Sequence, residues 1–243
     1  MTSALFLAEF GDIAPEALIT ITGDEAHHAV AVKRIEVGET VLVADGRGSA
    51  VTAVVEETGR RELTVRVVEV LHPDQPALTW GVAQALAKGD RSDLAVQTAT
   101  ELGTRRILAW QAARSIVRWQ GDRGDKSLEK WRATCREATK QARRFFVPDV
   151  SFATTADVAE AIALADVALV LHEDAVDHIA DIDLPSEGTG LLIVGPEGGI
   201  TPDELDRFLE AGARAVSISD GVLRTSTAAA VALGQLDVLA RRS

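Results

Sequence analysis

The chain has 243 residues, a formal net charge of −12 and a single cysteine, Cys135, so it can form one large domain or a large and a small one. One cysteine excludes an internal disulfide and a metal site built from cysteines, which fits a reducing compartment, and we interpret Cys135 as a packing residue. No apolar run is long enough for a membrane span, and Glu9 and Asp12 come too early for a signal peptide, so we predict a cytoplasmic protein.

Charge is strongly segregated along the chain. Residues Arg105–Arg144, here called the basic stripe, contain twelve basic and four acidic side chains, a balance of +8. Residues Ser151–Glu210 contain one basic and fourteen acidic side chains, a balance of −13. A stripe of this density can follow a phosphate backbone, although charge runs more often form a solvated helix face.

The first seventy or so residues are typical of short strands joined by turns. Asp45-Gly46 and Thr58-Gly59 are turn signals between alternating apolar residues, and this pattern predicts a small β-barrel. A short helix over "GDEAHHAVAVKR" interrupts it. Because two adjacent histidines point to different faces of a helix, His27 and His28 do not predict a shared metal.

The pattern changes after the proline-containing segment "LHPDQPALTW", which we interpret as a linker that separates domains 1–72 and 73–243. From Leu78 onward apolar strands alternate with helices, which indicates an α/β fold with a parallel sheet. The predicted strands are "LTWGVAQA", "RRILAW", "VALVL", "LLIVG" and "AVSIS", and the predicted helices are Asp90–Leu102, Lys126–Arg143, Ala156–Ala165, Pro202–Ala211 and Thr225–Ala240.

The stretch "LLIVGPEGGITPDELDRF" places a glycine-rich loop between a buried strand and a helix. Thr201 and Glu204 have the spacing of a capping box, which predicts the helix start. Gly195, Gly198 and Gly199 let a ligand approach the main chain closely, so the loop is a candidate binding site. The alternative is a tight turn without a ligand. No Gly-x-Gly-x-x-Gly or Walker sequence is present, which disfavours nucleotide-binding folds.

Several separated stretches occur together in one order: "HHAVAVKR", "KGDRSDLAVQTATELGTRRI", "EATKQARRFFVP", "IVGPEGGITPDEL" and "SISDGVLRTSTAAAVAL". Over nearly the whole chain this set resembles the 16S ribosomal RNA (uracil(1498)-N3)-methyltransferase family of the SPOUT superfamily. The resemblance implies S-adenosylmethionine as the cofactor, 16S rRNA in the small subunit as the partner, and a homodimer. It also implies an N-terminal PUA-like β-barrel and a SPOUT-type parallel sheet with a deep C-terminal trefoil knot.

Site residues follow from the same resemblance. Arg224 would orient the base or a phosphate, and Glu197 would fix the loop or the substrate, without any metal. The residues implied to bind the cofactor are Leu171, His172, Glu173, Gly195, Pro196, Glu197, Gly198, Gly199, Ile218, Ser219, Gly221, Leu223, Thr225 and Ser226. Those implied to bind RNA are Lys33, Arg34, Lys88, Arg91, Lys140, Gln141, Arg143 and Arg144.

The chain departs from the family pattern at two positions. Ser226 stands where the closing motif usually has glutamate, and Lys140 stands where many relatives have glutamate before Gln141. The alternatives to the N3-methyltransferase are another knotted enzyme, such as a transfer-RNA ribose methylase, and a non-catalytic RNA-binding protein with the same fold. The intact glycines and Arg224 argue against the second alternative.

Overall fold

A computed structural model describes residues 3–241, which form two compact units. The first contains residues up to Gln75 together with Thr139–Val147, and the second contains Pro76–Ala138 and the residues from Pro148 onward. The division into domains 1–72 and 73–243 stays a prediction. The sequence pattern does not predict that the chain returns to the first unit at Thr139–Val147.

The first unit is built on a five-stranded sheet with the order β1-β3-β4-β5-β2. β1 pairs with β3 in parallel, and the other pairs are antiparallel. Side chains that alternate along β4 and β5 supply much of a separate apolar core, as expected for strands with one buried face. The strands are β1 Leu5–Leu7, β2 Leu18–Thr22, β3 Thr40–Ala44, β4 Ala50–Thr58 and β5 Glu62–Leu71.

The predicted helix between β2 and β3 exists, but its geometry changes partway along. Helix α1 covers Gly23–His27, and His28–Val32 continue as a π-helical turn. Ala26 and Ala29 are fully buried and anchor this segment to the core of the first unit. Within residues 3–241 no three histidine, cysteine, aspartate or glutamate side chains are grouped so that they could hold a metal ion.

The second unit contains a seven-stranded sheet with the order β10-β12-β9-β11-β6-β7-β8, and every pair is parallel. The parallel α/β prediction is therefore confirmed, whereas the trefoil knot stays a prediction. The strands are β6 Leu78–Ala85, β7 Arg106–Trp110, β8 Asp149–Ala153, β9 Val167–Leu171, β10 Asp177–His178, β11 Gly188–Val194 and β12 Arg214–Ser217. Strands β8 and β10 were not predicted.

Five longer helices lie wholly or mostly in the second unit, and four of them lie within two residues of their predicted bounds. Helix α3 begins five residues earlier than predicted, at Gly121 instead of Lys126. The helices are α2 Asp90–Glu101, α3 Gly121–Gln141, α4 Thr155–Leu164, α5 Pro202–Glu210 and α6 Thr225–Ala240. No helix in the part of the chain that the structure describes is both long and apolar enough to cross a membrane.

Strand β11 occupies the interior of the sheet, between β9 and β6. Its Leu191–Val194 segment is fully buried, as the continuous apolar run predicts for a strand covered on both faces. On one face the core includes Trp110 and Phe208, whose rings meet edge to face with centroids 5.2 Å apart. This packing fixes the strand from which the glycine-rich loop leaves the sheet.

Cys135 is fully buried on α3. Burial raises the pKa of its thiol to about 11, and a hydrogen bond with Thr100 opposes this rise only in part. The thiol is therefore uncharged at neutral pH, in agreement with its interpretation as a packing residue.

Candidate functional site

A cavity lies where β9, β11 and β12 end in the second unit. Because parallel strands place their carboxyl ends at one edge of the sheet, the loops after these strands meet there. The cavity has a volume of about 380 Å³, and the first turn of α6 closes one side. Its lining contains every residue predicted to bind the cofactor except Gly198 and Ser226.

The glycine-rich loop forms one wall of this cavity. A Cβ atom at Gly195 would lie 2.8 Å from Cγ1 of Ile200, a buried side chain, so the packing of Ile200 requires glycine. Gly199 has a φ of +73°, and its N–H donates to the carbonyl of Pro196 at 2.9 Å, which closes a turn. Gly195 is therefore required for close packing, and Gly199 allows a left-handed turn.

Gly198 has a different environment from the one predicted. A Cβ there would lie 3.1 Å from the Arg114 Cβ and 3.3 Å from its carbonyl oxygen, and neither Gly198 nor Arg114 lines the cavity. The Arg114 guanidinium also donates to the Gly198 carbonyl at 3.1 Å. A larger side chain at Gly198 would therefore displace Arg114 first. Nothing in the sequence around Arg114 indicates this contact.

The helix after the loop is held by the predicted capping box. The Thr201 hydroxyl accepts from the Glu204 N–H, and the Glu204 carboxylate accepts from the Thr201 N–H at 3.2 Å. The same buried carboxylate accepts from the Ala113 N–H at 2.8 Å and the Thr155 hydroxyl at 3.0 Å. Glu204 thus joins the loop, through hydrogen bonds, to the segment after β7 and to the start of α4, which gives the loop a rigid support.

Glu197 is engaged with residues near the start of α2. Its Oε1 accepts from the Arg91 guanidinium at 3.0 Å and from the Lys88 backbone N–H at 3.4 Å. Burial acts to raise the pKa of the carboxyl, but hydrogen bonds from its own backbone, Arg91 and Lys88 together lower it below the usual value. Glu197 is therefore an ionised side chain that ties the loop to α2, and it lacks the raised pKa of a base poised near neutral pH.

The lowered pKa of Glu197 predicts a specific dependence of stability on pH. A carboxyl with a depressed pKa stabilises the fold above its ordinary value of 4.5, and this contribution disappears as the pH falls through the lowered folded value. Urea unfolding should therefore show that Glu197→Gln is less stable than wild type at pH 7, and that this difference becomes smaller as the pH falls below 4.5. A difference that does not change with pH would contradict the ion pair.

Arg224 and Thr225 lie at the start of α6 and line the cavity. The Arg224 carbonyl accepts from the N–H groups of Thr227 and Ala228, whereas its side chain is exposed and makes no salt bridge with any residue between 3 and 241. The guanidinium is therefore available to a ligand. The Thr225 hydroxyl lies 2.8 Å from the Gly195 carbonyl and connects α6 to the glycine-rich loop.

Ser226, which replaces the family's usual glutamate, is buried and does not line the cavity. Its backbone belongs to the first turn of α6. A serine here leaves no carboxylate at this point of the helix, and the site's acidic groups come from other segments, such as Glu173 and Glu197.

The residues predicted to bind RNA fall into both units. Lys33 and Arg34 are exposed after the π-helical turn, and Arg143 is exposed after α3. Lys88 is exposed, and Arg91 lines the cavity and pairs with Glu197. Gln141 and Arg144 are exposed near the end of α3.

Lys140 does not present its charge to solvent, contrary to its predicted role in holding phosphate. Its ammonium lies 2.9 Å from the Glu25 carboxylate, and the two side chains are only 8% and 15% exposed. The second oxygen of Glu25 accepts from the Leu7 N–H at 3.1 Å. Lys140 is therefore part of the internal structure of the first unit.

Comparison with known proteins gives matches along both units. The model of an RNA methyltransferase domain matches residues 74–237, and that of an RNA methyltransferase PUA domain matches residues 21–68. The ribosomal RNA small subunit methyltransferase E of Mycobacterium bovis is 46% identical over 93% of this chain and 88% of its own. The protein of the same name from Bacillus subtilis is 28% identical over 89% of this chain and 88% of its own.

Two solved structures share the architecture. The ribosomal RNA small subunit methyltransferase E of Neisseria gonorrhoeae, bound to S-adenosyl methionine, superposes with a TM-score of 0.87 at 26% identity and covers 98% of each chain. A methyltransferase of Legionella pneumophila in complex with the same cofactor gives the same values.

Proposed function

The chain belongs to the RNA methyltransferase family, and we propose that it transfers a methyl group from S-adenosylmethionine to N3 of uridine 1498 in small-subunit ribosomal RNA. The observation that carries the proposal is the cavity at the carboxyl ends of β9, β11 and β12, which collects residues from three separated sequence motifs. The relatives that match over most of the chain are small-subunit methyltransferases.

The cavity fits the proposed cofactor in size and chemistry. Its volume of about 380 Å³ lies within the range of small-molecule sites, about 300–1,000 Å³. Apolar side chains such as Leu171 and Ile218 line it. The Glu173 carboxylate suits a ligand that carries positive charge, whereas the Glu197 carboxylate is already paired with Arg91. When bound, S-adenosylmethionine supplies an activated methyl group.

The protein's task in methyl transfer is to hold the attacking nitrogen in line with the methyl group and to exclude water. Arg224 is placed to orient the uracil base or a neighbouring phosphate, because its guanidinium is unpaired by residues 3–241 and lines the cavity. Glu197 holds the loop through Arg91. No side chain of the cavity stands out as the group that takes the N3 proton.

Exposed basic side chains in both units support an RNA partner. Lys33, Arg34 and Arg143 in the first unit, and Lys88 in the second, are available for phosphate contacts. Such contacts position RNA without specifying its sequence, so the target is read mainly from the shape of assembled RNA. We therefore propose the assembled small subunit as the substrate, a cytoplasmic location, and a homodimer with a trefoil knot as in the family.

The salt dependence of RNA binding distinguishes exposed phosphate contacts from buried structural charges. Arg143→Ala should reduce the slope of log affinity against log salt by about one unit, because one phosphate contact is lost. Lys140→Ala, its matched control, should lower the stability of the protein without changing this slope, since its charge is paired with Glu25. Filter binding at several salt concentrations measures the slope for both variants. An unchanged slope in Arg143→Ala would indicate that Arg143 lies on a solvated surface without a phosphate contact.

Mass mapping of ribosomal and transfer RNA from cells with and without the protein tests the proposal. We expect one N3-methyluridine to disappear from small-subunit RNA when the protein is absent. Loss of a ribose methyl group from transfer RNA would favour the other knotted enzymes. No change in any RNA modification would favour a non-catalytic RNA-binding protein.

A further inference from the structure

Gln84 is a buried amide among small and apolar residues near the end of β6. It is 2% exposed, and its neighbours Ala83 and Ala85 are fully buried. Burying a primary amide is unfavourable unless its polar atoms make hydrogen bonds. The Gln84 Nε2 has such partners, whereas its Oε1 has none among residues 3–241. In the sequence, the only sign of this special position is that a glutamine stands in the predicted strand "LTWGVAQA".

The amide belongs to a directed chain of hydrogen bonds. Its Nε2 lies 3.0 Å from the Thr225 hydroxyl, which lies 2.8 Å from the Gly195 carbonyl oxygen. A carbonyl oxygen can only accept, so the single hydroxyl proton of Thr225 goes to Gly195. The hydroxyl must then accept from Gln84, and this requirement fixes which end of the amide faces Thr225.

Three segments meet in this chain: the end of β6, the loop after β11 and the first turn of α6. Thr225 and Gly195 line the cavity, whereas Gln84 does not. We propose that Gln84 is a positioning residue, which acts through Thr225 to hold the Gly195 loop in the conformation that binds the cofactor. The inference rests on the proposed function, since it takes S-adenosylmethionine as the ligand of this cavity.

The chain of bonds determines how each member contributes. Because the only hydroxyl proton of Thr225 is used by Gly195, Thr225 supports the cavity wall and does not donate to the cofactor. Without the Gln84 donor, the hydroxyl can rotate and the loop is free to adopt other conformations. The apparent affinity then falls in proportion to the fraction of molecules that keep the binding conformation.

Calorimetry with S-adenosylhomocysteine and S-adenosylmethionine, on the full chain without RNA, tests the inference. Gln84→Met has a similar length and no donor, and we expect it to bind each ligand about tenfold more weakly, as Thr225→Val should. The double variant should bind about as weakly as either single variant, because both interrupt one chain of bonds. Thr225→Ser, which keeps the hydroxyl, should bind more tightly than Thr225→Val.

A buried threonine elsewhere in the second unit serves as the control. Thr100 is 1% exposed on α2 and does not line the cavity, so Thr100→Val should shift the urea midpoint without changing the affinity for either ligand. In methylation assays Gln84→Met should raise KM for the cofactor and leave KM for RNA unchanged.

Three results would overturn the inference: wild-type affinity in Gln84→Met, strictly additive losses in the double variant, or an equal rise in KM for cofactor and RNA. Failure of the wild-type protein to bind either ligand would instead overturn the proposed function. The two failures are therefore distinguishable in the same set of titrations.

Discussion

Arg224→Ala is expected to lower kcat by about 10²–10³-fold, the usual cost of removing one charged or hydrogen-bonding group that acts on the reacting atoms. The contact proposed for Arg224 orients the base and matters most in the transition state, so RNA binding should weaken far less. The fold should be retained, because the side chain is exposed and α6 is capped by the Arg224 backbone, which alanine keeps. Single-turnover assays and RNA titrations measure the two effects separately.

Two further variants show why kcat falls in Arg224→Ala. Arg224→Lys keeps the charge but not the planar guanidinium, and it should retain an intermediate rate if orientation is important. Arg207→Ala removes an exposed arginine from the last turn of α5 and should leave kcat unchanged. A fall in RNA affinity as large as the fall in kcat would show that Arg224 is only a phosphate contact.

Gly195→Val is expected to abolish measurable cofactor binding and to destabilise the protein. A Cβ at this position would lie 2.8 Å from Ile200 Cγ1, so either the buried isoleucine or the loop must move. Inserting bulk into a packed site costs about 1–3 kcal/mol, and here the displaced loop is also a wall of the cavity. Calorimetry and urea unfolding of the same sample give both values.

The matched control for this substitution is Gly11→Val, where a Cβ meets no atom within 4 Å. It should change neither cofactor affinity nor stability by more than the ordinary surface effect, about 0.5 kcal/mol. Wild-type cofactor affinity in Gly195→Val would remove the glycine-rich loop from the binding site.

The elements with strong local patterns were predictable. The apolar run of β11 and the capping box of Thr201 and Glu204 depend only on neighbouring residues, and the structure contains both. The early start of α3 was missed because Gly121 and Gly124 are poor helix formers, and tertiary packing overrides that preference. Strand β8, "DVSFA", is short and mixes charged with apolar residues, so its pattern does not distinguish it from a loop.

The polar interactions that depend on distant partners were not predictable. Lys140 and Glu25 are 115 residues apart, and a basic residue within a basic stripe gives no indication that its charge is buried. Gln84 and Thr225 are 141 residues apart. The resemblance to a known family indicated most of the residues that line the cavity, but only the fold shows that Gly198 and Ser226 do not line it.

The activity that we propose for this chain is methylation at N3 of uridine 1498 in small-subunit ribosomal RNA. The most direct test supplies the purified protein with tritiated S-adenosylmethionine and, in separate reactions, with small subunits that lack the modification, naked small-subunit RNA or transfer RNA. Nuclease digestion and mass spectrometry then locate the methyl group. We expect a single N3-methyluridine at that position, formed more efficiently on the assembled subunit than on naked RNA. Methylation on a ribose oxygen, or on transfer RNA alone, would contradict it.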